Sequence, residues 1–246
     1  MSALAVENAS KHYAGAIALD GVSLSFPDGV ITAVIGPSGC GKSTLLKLLN
    51  GLIRPDGGEV RVFGQPIAYG EIASLRRKMG YAVQGTGLFP HLSAEDNISL
   101  LAQLERWSET DVRQRLNELM ALSQLDADIL ERFPHQLSGG QQQRVGLCRA
   151  MMLRPEVLLL DEPFAAIDPI TRTDIHQQLL QLHSAEPTTS VLVTHDMREA
   201  LVLAEQIVVM GAGTILCNES KADLLHRYPG RDPEALLHSL FQEAQT

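Results

Sequence analysis

Cysteine is scarce in this chain. The three present, Cys40, Cys148 and Cys217, are too few and too scattered for a disulfide framework or a thiolate metal cluster, and they read as reduced thiols. Basic runs are missing as well. Lys and Arg number 20 against 29 Asp and Glu, for a formal net charge of -9, and no Lys/Arg-rich stretch offers the stripe that a nucleic-acid surface needs. No nucleic-acid partner is expected. No uninterrupted apolar stretch approaches bilayer length, and Met1-Ser2-Ala3-Leu4 lacks the charged start and apolar middle of a secretory signal. The expectation is a cytosolic chain. Internal repeats and low-complexity segments are absent too, so the 246 residues read as one α/β domain with an insertion.

What is there begins with Gly36-Pro37-Ser38-Gly39-Cys40-Gly41-Lys42-Ser43-Thr44, set between the apolar run Val30–Ile35 and the leucine-rich Leu45–Leu49. The full G-x-x-x-x-G-K-S between a strand and a helix is a phosphate-binding loop. Its glycines let the backbone curl so that successive N–H groups point into one concavity, and the helix adds the positive end of its dipole. Lys42 suits the β- and γ-phosphates of a nucleotide, and the Ser43 hydroxyl suits the shell of a Mg²⁺ bridging them. The competing reading, a tight turn with incidental glycines, fits a glycine-only match better than this one.

Before the loop, Leu4–Glu7 and Leu24–Phe26 read as strands with short hairpin spacing, an antiparallel piece beside a nucleotide core. Tyr13 is either an aromatic for an adenine face or an ordinary sheet aromatic. After it, Gly57–Gly64 reads as a strand. Gly80–Gln84 reads as a buried strand ending in an amide that can ligate Mg²⁺ or orient water. Residues 85–92 are a loop.

Ser93-Ala94-Glu95-Asp96 and Ser108-Glu109-Thr110-Asp111 each read as a capping box opening a helix, the second with Val112, Leu116 and Leu119 at helical spacing. Leu137-Ser138-Gly139-Gly140-Gln141 is a second glycine-bearing turn, running into a helix from Gln141 to Leu153. It is either a second anion seat or a plain helix start. Val157–Asp161-Glu162 is a continuous apolar run ending in two carboxylates, as in a parallel sheet covered on both faces. Asp161 suits the outer shell of Mg²⁺, and Glu162 suits polarising the attacking water. Thr189–Thr194 leads to His195, which is either within reach of a γ-phosphate or a structural histidine. Gln206–Met210 and Gly213–Leu216 read as closing strands, and the chain reads as helical from Asn218 on.

Taken in this order, the motifs resemble those of the nucleotide-binding subunits of ABC transporters over nearly the whole chain. The matches are the phosphate loop at Gly36–Thr44, the Q-loop at Gln84, the signature at Leu137, Ser138, Gly139, Gly140 and Gln141, the carboxylate strand at Asp161 and Glu162, the switch histidine at His195, and the adenine-stacking aromatic at Tyr13. Ala165-Ala166-Ile167-Asp168 corresponds to the D-loop, with Ile167 an apolar departure of little expected consequence. The resemblance implies a P-loop NTPase core with a mainly parallel sheet, an N-terminal antiparallel β subdomain and an inserted α-helical subdomain. The expected division is 1–86 with 155–217 for the core, 87–154 for the helical part and 218–246 for a helical tail.

It further implies an ATPase with ATP and Mg²⁺ as cofactors, the metal held by Ser43, Gln84 and Asp161. Glu162, His195 and Gln84 would be catalytic, and Asp168 would touch a partner's site. Two subunits would sandwich ATP between one copy's phosphate loop and the other's signature. The partners implied are that second ATPase subunit, a homodimer being the simplest form, an integral permease reached through the helical subdomain and Q-loop, and a separate substrate-binding protein. The location implied is the cytoplasmic face of the plasma membrane. Segments such as Gly87–Leu92 and His195–Ala200 resemble bacterial osmoprotectant importers of the glycine betaine, choline or proline type. Polar amino-acid importers and soluble ABC-type switches are the alternatives.

Overall fold

The computed structural model describes residues 2–165 and 167–243. Ala166 of the expected D-loop and the last three residues of the expected tail lie outside them. The chain divides into two compact units, residues 1–76 with 188–246, and residues 77–187.

In the first unit, β1 (Ser2–Tyr13) pairs antiparallel with β2 (Ala16–Pro27) on one side and with β4 (Gly57–Val62) on the other, and β4 pairs with the short β5 (Gln65–Pro66). Both long strands extend well past the expected ends, because β-bulges after Val6 absorb the polar residues that break the alternation. A second layer holds β3 (Ile31–Ile35) between β8 (Thr189–Thr194) and β9 (Gln206–Gly211), all parallel, with β10 (Thr214–Ser220) antiparallel at the edge. Every residue of β3 and β8 is buried, which is why these strands show no apolar–polar alternation and carry no charged residue. Helix α1 (Lys42–Leu49) follows β3 through the phosphate loop. Eight residues make no stable helix alone. Leu45, Leu46, Leu48 and Leu49 are all fully buried, and at roughly 2 kcal/mol each they hold it against the sheets.

The chain is not helical from Asn218 onward. Residues 218–220 continue β10 opposite Val208, Ile207 and Gln206, and the Gln206 amide donates to Asn218 Oδ1 at 2.6 Å. Cross-strand pairing thus overrides a polar, helix-compatible sequence. Two helices follow β10, α8 (Lys221–Arg227) and α9 (Pro233–Glu243), while α7 (Met197–Leu203) follows β8. The short α2 (Ile72–Arg77) was not anticipated.

In the second unit, β6 (Met79–Ala82) and β7 (Val157–Asp161) run parallel, Tyr81 beside Leu159. Between them in sequence come α3 (Ala94–Leu104), α4 (Glu109–Leu122) and α5 (Gly139–Met151), with α6 (Pro169–Ala185) after β7. The two expected capping boxes are half formed. Ser93 and Ser108 accept from Asp96 N and Asp111 N, but each aspartate takes the serine's hydroxyl proton, at 2.8 and 2.6 Å, instead of reaching back to its backbone. Ser138 and Gln141 do close a full box, with Ser138 N donating to Gln141 Oε1 at 2.9 Å and Gln141 N to Ser138 Oγ at 3.2 Å. For that reason α5 begins at Gly139, two residues earlier than expected.

Candidate nucleotide site

In the first unit, the phosphate loop is shaped by what its glycines avoid. A Cβ on Gly36 would stand 2.2 Å from Met210 O, and Gly41 combines φ +108° with a virtual Cβ 2.4 Å from Ala18 O. Neither position accepts another residue without moving backbone. Lys42 is 5% exposed, and its ammonium donates to Gly36 O at 2.7 Å and Pro37 O at 3.0 Å, the partners a buried cation requires. Cys40 Sγ lies 3.9 Å from the same nitrogen, with the thiol buried.

Helices α3 to α8 each start with a serine or aspartate side chain accepting from their own first turn. Helix α1 instead starts with Gly41, has no side-chain cap and carries no acid in its first turn. Its first intrahelical bond is Leu45 N to Gly41 O, so the N–H groups of Lys42, Ser43 and Thr44 precede the ladder. An uncapped helix start beside a buried ammonium fits a polyphosphate in donor chemistry and in charge.

Two other predicted residues belong to this unit. Tyr13 sits at the β1–β2 hairpin tip, 44% exposed. His195 lies exposed between β8 and α7, in a turn fixed by Thr194, whose hydroxyl donates to Glu199 and accepts from Asp196 N at 3.0 Å.

In the second unit, β7 ends on the buried Asp161, and Glu162 follows at φ +44°. That left-handed conformation turns the chain sharply after the strand and costs a non-glycine residue about 1 kcal/mol. Gln84 Nε2 donates to Glu162 Oε2 at 3.4 Å. The two line a cavity of about 480 Å³ together with Gly139, Gln142 and Gln143, so residues of the Q-loop, the signature and the carboxylate strand share one space. Gln84 itself lies beyond the end of β6, in the loop and not in the strand. Burial and, secondarily, the charge of Asp161 push the Tyr81 phenol up to about 12. Asp168 caps α6, accepting from Ile170 N and Thr171 N, and its carboxyl is held below the usual range by hydrogen bonds, first that from the Thr171 hydroxyl.

Sequence reasoning missed Arg149. From α5 it donates to Gly87 O at 2.8 Å and Thr86 O at 3.1 Å and faces the Phe89 ring at 5.8 Å, pinning the loop after Gln84. A single arginine inside a helical run carries no signal of such a role.

The ABC transporter family model matches residues 19–165. The chain belongs to that family. It is 46% identical over 223 residues to the glycine betaine uptake system ATP-binding protein YehX of Escherichia coli, covering 91% of this chain and 72% of that one. It is 43% identical to the choline transport ATP-binding protein OpuBA of Bacillus subtilis, covering 90% of this chain but 58% of the relative, so it spans little more than half of that protein. Among solved structures, the dimeric ATP-binding cassette MJ0796 bound to ADP and Pi superimposes with a TM-score of 0.81 at 32% identity, over 89% of this chain and 98% of that one. The expected fold class, an α/β cassette with an antiparallel N-terminal sheet and a helical insert, holds, as does the expected ABC-type ATPase class. Among the described residues, no helix is long and apolar enough to cross a membrane.

Proposed function

We propose that this chain is the ATP-hydrolysing subunit of an importer for a small osmoprotectant of the glycine betaine, choline or proline type. The observation that carries this reading is the occurrence, in a chain 46% identical to a glycine betaine uptake ATP-binding protein, of an uncapped phosphate-loop helix and a strand-end glutamate already paired with Gln84.

The roles follow from the chemistry of each group. Residues Gly36–Thr44 hold the polyphosphate through N–H groups, with Lys42 as point charge. Tyr13 stacks on the adenine. Glu162 takes the proton of the attacking water, and His195 holds the γ-phosphate. Mg²⁺, when bound with the nucleotide, neutralises charge on its phosphate oxygens. Among the described residues, no group of three or more His, Cys, Asp and Glu side chains is arranged to hold a metal. By the resemblance, Ser43, Asp161 and Gln84 would each supply an oxygen to that cation, the donor type Mg²⁺ takes alongside waters and phosphate oxygens.

Two copies acting together complete the reading. The signature turn at 137–141 serves the ATP of the partner copy, with Asp168 beside it. In support, a Cβ on Gly139 meets nothing within 4 Å, so the chain's own packing has no need of a glycine there. An integral permease docks on the helical part and the loop after Gln84, at the cytoplasmic face of the membrane, and a separate binding protein delivers the solute.

Reconstitution with a candidate permease and binding protein, in ATP-loaded vesicles, tests this. Uptake of glycine betaine, choline or proline is expected. Uptake restricted to polar amino acids would transfer the reading to that importer class, and ATPase activity with no membrane partner would favour a soluble switch.

A further inference from the structure

Tyr13 pairs with Ala16 across a two-residue turn, Ala14-Gly15, with both φ angles positive at 42° and 89°, the primed geometry that suits a tight hairpin. One edge of this tip is held by β2. On the other edge, pairing with β4 ends at Ser10 opposite Gly57, and among the described residues no strand pairs with β1 from there to the tip. A single residue takes over there. Asp56, just before β4, donates its N–H to Ser10 O at 2.8 Å. Its carboxylate accepts from His12 N at 2.7 Å and from Lys11 Nζ at 2.7 Å, and His12 Nδ1 lies 3.5 Å away. The ammonium so held stands 5.8 Å from the centroid of the Tyr13 ring. The carboxyl is held below the usual range, first by Lys11 and then by the His12 N–H, so it stays an anion at working pH.

We infer that Asp56 is a positioning residue for the nucleotide base: by bridging Lys11 and His12 it fixes the direction of the hairpin tip and, with it, the Tyr13 ring against which a purine stacks. The inference rests on the reading of Tyr13 as the adenine-stacking aromatic. The Asp56 carboxylate is open to water, with 43% of its side chain accessible against 16% for Lys11, and a pair on one solvated carboxylate adds only about 1 kcal/mol or less to folding stability. Asp56 should therefore matter for the base far more than for the fold.

Calorimetric affinities of the full chain for ATP and for inorganic tripolyphosphate, which has no base, separate the two. Asp56→Ala is expected to weaken ATP about three- to ten-fold, less than the full loss of a stacked base, with tripolyphosphate affinity and melting temperature unchanged. Asp56→Asn keeps an acceptor for the His12 N–H and should recover part of the loss. Tyr13→Ala should weaken ATP at least as much as Asp56→Ala. If Tyr13→Ala weakens ATP and Asp56→Ala does not, the inference is overturned while stacking stands. Equal losses for ATP and tripolyphosphate in Asp56→Ala overturn it as well. If Tyr13→Ala leaves ATP affinity intact, the stacking reading falls and the inference with it.

Discussion

The side-chain amide of Gln84 donates to the carboxylate of Glu162 across 3.4 Å. At that length the bond is weak, and it links the residue that resembles a nucleotide sensor to the one proposed to activate water. It uses only Nε2 of the amide, which leaves Oε1, the atom able to ligate a cation, for another partner. A glutamate reached by so weak a contact can exchange the amide for a water at little cost.

Replacing that carboxylate gives the most direct prediction. Glu162→Gln keeps the shape and removes the base, so hydrolysis should fall by about 10²-fold or more while ATP still binds. With ATP and Mg²⁺ the variant should run as a dimer on a sizing column. A monomer under those conditions would sink the two-copy reading.

Gly139 allows a test in which stability and activity part company. It lies in the first turn of α5 with open space where a Cβ would go, so Gly139→Ala should raise stability by about 0.5–1 kcal/mol through backbone entropy. If the turn serves a partner's phosphates, ATPase activity should nevertheless drop. Gly140→Ala is the contrast, since its Cβ would stand 2.4 Å from Thr171 Cγ2 and should destabilise. Melting curves and phosphate release on both variants decide.

Arg115 is 2% exposed on α4. Its guanidinium donates to Met151 O at 2.6 Å, Met152 O at 3.3 Å, Glu118 at 3.3 Å and both oxygens of Glu186. Arg115→Met leaves two buried carbonyls without that partner and Glu186 with Arg154, at 2.8 Å, and should cost about 1–3 kcal/mol in denaturant unfolding. Arg115→Lys should recover little, because one ammonium cannot replace a planar fork. Adding Glu186→Gln to Arg115→Met should restore part of the loss, and strict additivity would argue that the pair is not coupled.

Two thiols predict the alkaline limb of stability. Burial pushes Cys148 up to about 11, and burial with the charge of Glu219 does the same for Cys217. The folded chain keeps these protons where the unfolded chain, with thiols near 9.0, releases them. Their contribution is complete below about pH 9 and is lost as pH rises toward about 11. Melting temperature should therefore fall across that window, and Cys148→Ala should fall less steeply, a single thiol accounting for at most about 1.4 kcal/mol per pH unit. Identical slopes for the two proteins would contradict the assignment. Cys40, buried inside the phosphate loop, should react with alkylating reagents only slowly, and more slowly still with ATP bound.

The loop at Gly36–Thr44, the buried strands β3, β7 and β8, and the helix starts led by Ser93 and Ser108 were legible because each rests on local chemistry: backbone curl, burial on both faces, a cap three residues from its donor. What stayed hidden depends on residues far apart in sequence. Nothing near Asp56 announces that it meets Lys11 and His12, and Arg149 gives no hint of Thr86 and Gly87. Asn218–Ser220 misled because their strand partners at 206–208 outweigh local preference. The half-formed boxes at Ser93 and Ser108 show that the motif's letters are shared by two hydrogen-bond patterns.

Glu162 stands at φ +44°, where the backbone is most comfortable with no side chain at all. With Glu162 as the proposed base, a selection on heat resistance alone would favour glycine at this corner for its backbone ease, and would so enrich protein expected to lose hydrolysis. Libraries of this chain should be sorted on phosphate release first and melting temperature second.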